Sequence, residues 1–181
     1  MTAGRLIAVV GPSGVGKDSV MAGIIERCPG IMPVRRTITR AADLGGEDYE
    51  AVTLDAFSKT AEQGGFCVHW GAHGLFYGIP RQVLDDVAAG AQCLVNFSRG
   101  ALLDAAALFP SMVVLHITAD PATLAARLAA RNRETADDIQ KRLAQAIKPL
   151  PTDLDVITIA NDGALGGTVD AAIAALQAER S

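Results

Sequence analysis

Apolar and polar positions along this chain follow two alternating periods. Continuous apolar runs at Leu6–Val10, Gln92–Phe97, Met112–Thr118 and Val156–Ala160 predict short strands of the kind found in a parallel sheet. Between them the apolar residues return at helical spacing. Val20, Met21, Ile24 and Ile25 predict a helix that begins near Lys17 and is stopped by Pro29-Gly30. Thr53 can cap a short helix to about Glu62, Pro80 is read as starting another that Gly90 stops, and a further helix runs from about Gly100 to Leu108. Asp120-Pro121 opens the next, with Asp at the N-cap and Pro in the first turn. Thr135-Ala136-Asp137-Asp138 has the form of a capping box leading to about Ile147, and a helix from about Gly167 to Gln177 comes last. Phe66–Trp70 and Leu75–Tyr77 read as a small strand pair around Gly71-Ala72-His73-Gly74.

Strands alternating with helical crossovers predict an α/β fold: a parallel sheet of about five strands flanked by helices, with ligands at the carboxyl ends of the strands. Residues 33–90 interrupt that alternation and are expected to form an inserted substrate-binding lobe within one domain spanning 1–181. Residues 131–138 are expected to form a short arginine-rich lid. There is no internal repeat, low-complexity tract or interdomain linker.

Composition narrows the function classes. With 181 residues, 50% of them apolar and only 20% charged, the chain can bury a full core and is not disordered. A net charge of -4 and a pI near 5.3 give no general affinity for nucleic acid or anionic membrane, so a polyanionic ligand has to be held by local arginine clusters. The apolar run after Arg5 is cut short by glycines, as neither a signal peptide nor a membrane span would be, and the protein reads as soluble and cytoplasmic. Cys28, Cys67 and Cys93 are isolated and lack metal-ligand spacing, which predicts reduced thiols.

The chemistry concentrates where the first strand gives way to the first helix. Gly11-Pro12-Ser13-Gly14-Val15-Gly16-Lys17-Asp18-Ser19 meets the G-x-x-x-x-G-K spacing of a phosphate-binding loop. Its glycines let backbone N–H groups converge on phosphate oxygens, the helix N-terminus adds a positive dipole end, and Lys17 reaches the outer phosphates of ATP. Asp18 stands where such loops usually place Ser or Thr on Mg²⁺. It is a candidate to hold Mg²⁺ directly or through water, the alternative being an aspartate stabilised only by the helix dipole. Arg35, Arg36 and Arg40 suggest an anion site, although Arg35 and Arg36 alternate along the chain and only one can face a given ligand. His116, in an apolar strand, reads as a core residue.

The order of these motifs resembles the nucleoside monophosphate kinases, and guanylate kinases in particular, over nearly the whole chain. Thr37-Ile38-Thr39-Arg40 is similar to their T-T-R segment, Asp48-Tyr49 to D-Y, Tyr77-Gly78 to Y-G, Arg127-Leu128-Ala129-Ala130-Arg131 to the R-L-x-x-R lid, and Asn161-Asp162 to the N-D near the adenine. The departures fall on guanine recognition: the family's base-contacting serine, glutamate and threonine are matched by Arg36, Val68 and Ile79, Asp43 stands near the place of a second family arginine, and Asn96 replaces a strand-end aspartate. Losing a hydrogen-bonding pair to a base costs at least about 1 kcal/mol, which disfavours GMP as acceptor.

A nearer resemblance is to the ribose 1,5-bisphosphate phosphokinase family of phosphonate breakdown. Its G-K-D-S, G-G-E-D, W-x-x-H-G-x-x-Y-G and V-N-x-S-R patterns are matched by Gly16–Ser19, Gly45–Asp48, Trp70–Gly78 and Val95–Arg99. That resemblance implies an ATP- and Mg²⁺-dependent kinase acting on a sugar phosphate and making 5-phosphoribosyl 1-diphosphate. Lys17, Arg131, Arg133 and Arg142 would be catalytic. Gly11 to Ser19, Arg127 and Asn161 would bind ATP, and Arg36, Thr39, Arg40, Tyr49, His73, Tyr77, Asn96 and Arg99 the acceptor. The implied partner is a small molecule rather than nucleic acid or membrane, and a homodimer is compatible with the family. The alternatives are a guanylate or other nucleoside monophosphate kinase and a non-catalytic binding module; intact Gly16, Lys17 and lid arginines speak against the module.

Overall fold

The computed structural model describes residues 3–42, 46–131 and 134–180. Asp43, Gly45 and Arg133, to which the sequence assigned significance, lie outside the described residues, as does part of the 131–138 lid. Nine strands and seven α-helices form among the described residues. The strands are β1 (Arg5–Val10), β2 (Ile31–Pro33), β3 (Arg36–Ile38), β4 (Tyr49–Ala51), β5 (Phe66–Ala72), β6 (Leu75–Pro80), β7 (Gln92–Asn96), β8 (Val113–Thr118) and β9 (Val156–Ala160). The helices are α1 (Lys17–Arg27), α2 (Leu54–Glu62), α3 (Gln82–Ala88), α4 (Leu102–Leu108), α5 (Pro121–Ala130), α6 (Ala136–Ala146) and α7 (Leu165–Ala178).

A five-stranded sheet has the order β2-β7-β1-β8-β9, and its β2–β7 and β8–β9 pairs are parallel. All six residues of β1 are buried, as its unbroken apolar run requires of a central strand. β9 alternates between half-buried and exposed because it stands at the sheet's edge. The three-residue β2 supplies the fifth strand, which the apolar runs alone did not reveal.

By compactness the chain divides into two units, one running through Ala8 with Pro29–Val113, the other Val9–Cys28 with Val114 onward. The first contains a second, four-stranded sheet of order β4-β3-β6-β5. Its hairpin differs from the sequence expectation. β5 continues through Ala72, and His73 and Gly74, at φ 53° and 76°, make a two-residue turn of two left-handed residues that matches the twist of the strands. Pro80 does not start a helix; it ends β6 opposite Phe66, where a missing N–H does not interrupt the ladder, and α3 begins at Gln82.

Core packing follows strand parity. On one face of the second sheet lie Arg36, Ile38, Val68, Trp70, Tyr77 and Ile79, with Val68 opposite Ile79 and Trp70 opposite Tyr77 across the β5–β6 pair. Gly78 sits under the Phe66 ring, where a Cβ would come within 2.6 Å of its carbons. Cys93, buried in β7, has its thiol pushed up to about 11 chiefly by burial, and all three cysteines are free.

Candidate active site

On the nucleotide side, the loop after β1 is held in shape from several directions. Gly16 is the N-cap of α1 at φ 92°, and a Cβ there would lie 2.8 Å from the Asn161 amide nitrogen. Gly14 is also left-handed, and a Cβ on Gly11 would meet the Ile117 carbonyl at 2.5 Å. These three positions accept only glycine, for reasons of backbone angle or of space. Val15 is fully buried beneath the loop, and its carbonyl accepts from Asn161 Nδ2 at 2.8 Å and from Arg127 Nη1 at 3.2 Å. Lys17 Nζ donates to the Gly11 carbonyl at 2.6 Å, across the mouth of the loop. Asp18 and Ser19 are exposed on the first turn of α1.

Asn161 is 5% exposed. Its amide donates to Val15, while its Oδ1 accepts from Thr168 Oγ1 at 2.7 Å and its backbone N–H binds the Thr118 carbonyl. Arg127 also donates through Nη2 to the Asn161 carbonyl at 2.7 Å. Both residues, expected to touch ATP, therefore brace the loop through hydrogen bonds. Asn161→Ala would leave the Thr168 hydroxyl without its buried acceptor and Val15 with one donor fewer. It should lower unfolding stability by about 2 kcal/mol in a urea titration and weaken ATP binding about tenfold. Unchanged values in both would show that the brace is dispensable.

The described residues expected to form the lid fall at the end of α5 and the start of α6. The Asp120 side chain makes no cap; instead its backbone N–H donates to Asp162 Oδ1 at 2.7 Å. The Thr135 capping box does form, through reciprocal bonds with Asp138, and these hydrogen bonds from Thr135 are the main cause holding the Asp138 carboxyl below its ordinary range. No residue of α6 is fully buried, and a cavity of about 450 Å³ lies among Pro12, His116, Thr118, Leu124, Leu143 and Ile147. Arg131 is exposed at the end of α5. Arg142 Nη2 pairs with Glu134 Oε1 at 2.7 Å, its side chain 41% exposed.

Among the residues expected to bind the acceptor, the arginines of β3 and its flank are organised by carboxylates. Arg36 donates Nε to Glu47 at 3.1 Å and Nη2 to the other oxygen of the same carboxylate, a bidentate pair in which the Arg36 side chain is only 6% exposed. Arg35 binds Asp48 at 3.2 Å and Glu50 at 2.5 Å. Both forks are engaged by carboxylates in this structure. Arg40 lies over the Tyr49 ring at 4.5 Å and donates to its hydroxyl, which in turn donates to the Ala41 carbonyl. Thr39 Oγ1 accepts from the Phe76 N–H at 2.9 Å, tying β3 to the hairpin.

Trp70 links motifs that are distant in sequence. Its ring stacks between Tyr77, at 5.6 Å and 11°, and Phe97, at 5.2 Å and 16°. Its Nε1–H donates to Ser98 Oγ at 2.9 Å. Asn96 closes β7 half-buried, and burial lowers the pKa of the neighbouring Arg99. His73 is exposed on the hairpin turn. Val68 and Ile79 form a buried apolar pair at 4% and 0% exposure. Sequence reasoning missed Glu47, Trp70 and Ser98 as members of this side. The motifs G-G-E-D, W-x-x-H-G and V-N-x-S-R contained them, but nothing local said that they meet the other residues.

A glycine-braced phosphate loop on a parallel sheet defines a nucleotide-binding phosphotransferase fold, and a family model described as guanylate kinase matches residues 3–178. The chain belongs to the guanylate kinase family. Within it the chain stands with the ribose 1,5-bisphosphate phosphokinases: it is 48% identical to the ribose 1,5-bisphosphate phosphokinase PhnN of Ruegeria sp., covering 98% of this chain and 94% of that one. The same-named protein of Agrobacterium fabrum is 42% identical over 88% of this chain and 89% of its own. In fold, the chain is similar to the crystal structure of guanylate kinase from Anaplasma phagocytophilum, with a TM-score of 0.71 at 24% identity, covering 99% of this chain and 87% of that one.

Proposed function

We infer that the protein transfers the γ-phosphoryl group of ATP to the 1-phosphate of ribose 1,5-bisphosphate, giving 5-phosphoribosyl 1-diphosphate and ADP in phosphonate breakdown. The observation that carries this reading is the buried Val68–Ile79 pair: the positions that would hydrogen-bond a base hold apolar side chains packed into the core. A base docked there would leave its polar edge unpaired, whereas a sugar bisphosphate has no base to satisfy. The names borne by the relatives in Ruegeria and Agrobacterium support the same substrate.

In the reaction an oxygen of the 1-phosphate bonds to the γ-phosphorus as the bond to the β,γ-bridging oxygen breaks, and ADP leaves with that electron pair. No general base is required, because a phosphate monoester with a second pKa near 6 is largely dianionic at neutral pH. The protein's part is to position the groups and neutralise their charge. Loop N–H groups from Gly11 to Ser19 cradle the ATP phosphates, Lys17 moves from the Gly11 carbonyl to the β and γ oxygens, and Arg127 and Asn161 keep the loop in register. Arg131, Arg133 and Arg142 neutralise the transferring group. Arg40, with Tyr49, Thr39, Tyr77, Asn96, Arg99 and His73, supplies the acceptor contacts.

For Mg²⁺, Asp18 offers a hard oxygen ligand, exposed beside Lys17, which fits a cation held by one carboxylate with phosphates and water. Among the described residues no group of three or more metal-ligating side chains assembles, so the remaining ligands would come from ATP and solvent. Bound there, the ion neutralises charge on the β- and γ-phosphates. The protein acts in the cytoplasm; no described helix is long and apolar enough to cross a membrane.

A coupled assay of ADP release tests the reading with GMP, ribose 1-phosphate and ribose 1,5-bisphosphate, each with ATP and Mg²⁺. Turnover is expected with ribose 1,5-bisphosphate alone. Preference for GMP would instead make the protein a guanylate kinase, the family's other activity.

A further inference from the structure

At α6 an ion pair joins two side chains that are unequally open to solvent. Arg142 Nη2 lies 2.7 Å from Glu134 Oε1, and the arginine side chain is 41% exposed where the glutamate is 15%. The second oxygen of that carboxylate, Oε2, is buried and has no hydrogen-bond partner among the described residues. A covered carboxylate with one oxygen unused is compensated here by the arginine, so removing the arginine leaves a charge that water reaches poorly. Glu134 is therefore the fixed member of the pair, and Arg142 is tied to it.

The tie runs against the direction that α6 gives to Arg142. Gln140, Leu143, Ala144 and Ile147 recur at helical spacing and line the cavity beside Pro12 and Leu124. At about 100° per residue, Arg142 stands on the opposite flank of the helix, where a long side chain left to itself ranges through water. Its reach along the helix is what brings it to Glu134. Side chains tilt toward the helix N-terminus, and Glu134 is the residue just before the Thr135 N-cap, about two turns back. The reciprocal Thr135–Asp138 capping box fixes the chain there, which gives the carboxylate a defined position. The guanidinium is thus drawn back toward the turn after α5, where Arg131 stands exposed, with one nitrogen used and its outer edge open.

We propose that Glu134 is a positioning residue: it anchors Arg142 through the ion pair so that the open edge of the guanidinium is preset for the transferring phosphoryl group. The inference rests on the phosphoryl-transfer reading above, in which Arg142 neutralises that group, and adds the residue that aims it. An unanchored arginine on that flank has to be ordered at every turnover, whereas a paired one has already lost that freedom.

A double-variant cycle tests it, with kcat and KM measured for wild type, Glu134→Ala, Arg142→Ala and the two combined. Glu134→Ala is expected to lower kcat by about thirtyfold with KM for ATP nearly unchanged, the pattern of a misplaced group that acts in the transition state. On the Arg142→Ala background the same change should cost no more than about twofold, because Glu134 then has nothing to aim. Glu134→Gln, which keeps an acceptor oxygen without the charge, should recover part of the loss. A further large fall in kcat from Glu134→Ala in the absence of Arg142 overturns the proposal, since a carboxylate acting on the fold of α6 or on substrate would still be felt. So does Glu134→Ala as fast as wild type or faster, and so does Arg142→Ala with wild-type kcat, since an arginine outside the chemistry needs no aiming. A readout without substrates is the Nε–Hε NMR signal of Arg142, assigned by its loss in Arg142→Ala. Slow guanidinium rotation in wild type that Glu134→Ala releases is expected, and free rotation in wild type overturns the anchor. The substrate reading itself stands or falls on a separate result, turnover of ribose 1,5-bisphosphate by the wild-type protein.

Discussion

Lys17→Ala is expected to lower kcat/KM for ribose 1,5-bisphosphate by about a thousandfold, equivalent to about 4 kcal/mol of transition-state stabilisation. Lys17 is the cation of the phosphate loop, and its ammonium spans the loop at 2.6 Å from the Gly11 carbonyl. That contact is a partly buried hydrogen bond that the β- and γ-phosphates can replace with a stronger, charge-assisted one. The loop's shape comes instead from Gly14, Gly16, Asn161 and Arg127, so the variant should keep its fold and its thermal midpoint. Coupled assays with thermal denaturation on the same sample separate the two effects. A variant within tenfold of wild type would remove Lys17 from the chemistry.

Arg142→Ala should cost on the order of a thousandfold in kcat, with little change in KM for ATP, because an arginine that neutralises the transferring phosphoryl group acts mainly in the transition state. In this structure Arg142 is paired with Glu134 at 2.7 Å; the arginine side chain is 41% exposed and the glutamate 15%, so the arginine's outer edge stays open to solvent while the carboxylate is largely covered. A phosphate can approach Arg142 from that open side. α6 has no fully buried residue and is held at its N-terminus by the Thr135–Asp138 capping box, which suits an element that shifts on binding. Single-turnover kinetics would separate chemistry from binding. A raised KM with kcat intact would recast Arg142 as a ground-state ligand.

The two variants probe opposite kinds of residue. Lys17 lies in a segment whose geometry is dictated by glycine and whose partners lie within a few residues. Arg142 stands on α6 and is held by Glu134, just before that helix's N-cap.

By itself the sequence determined what depends on neighbours in the chain. The unbroken apolar run of β1, the glycine spacing before Lys17, and the capping box at Thr135 were all readable, because strand burial, left-handed turns and helix caps are decided within a few residues. Tertiary structure alone decided how charge is shared. The cluster of Arg35, Arg36 and Arg40 suggested an anion site because the sequence counts cations, while Asp48, Glu50 and Glu47 fold back onto Arg35 and Arg36 from more than ten residues away. Asn161 reaches Val15 across 146 positions, and Trp70 finds Ser98 across 28. Whether an arginine meets a substrate, a carboxylate or an aromatic ring depends on which distant side chain desolvates it, and no local pattern carries that information.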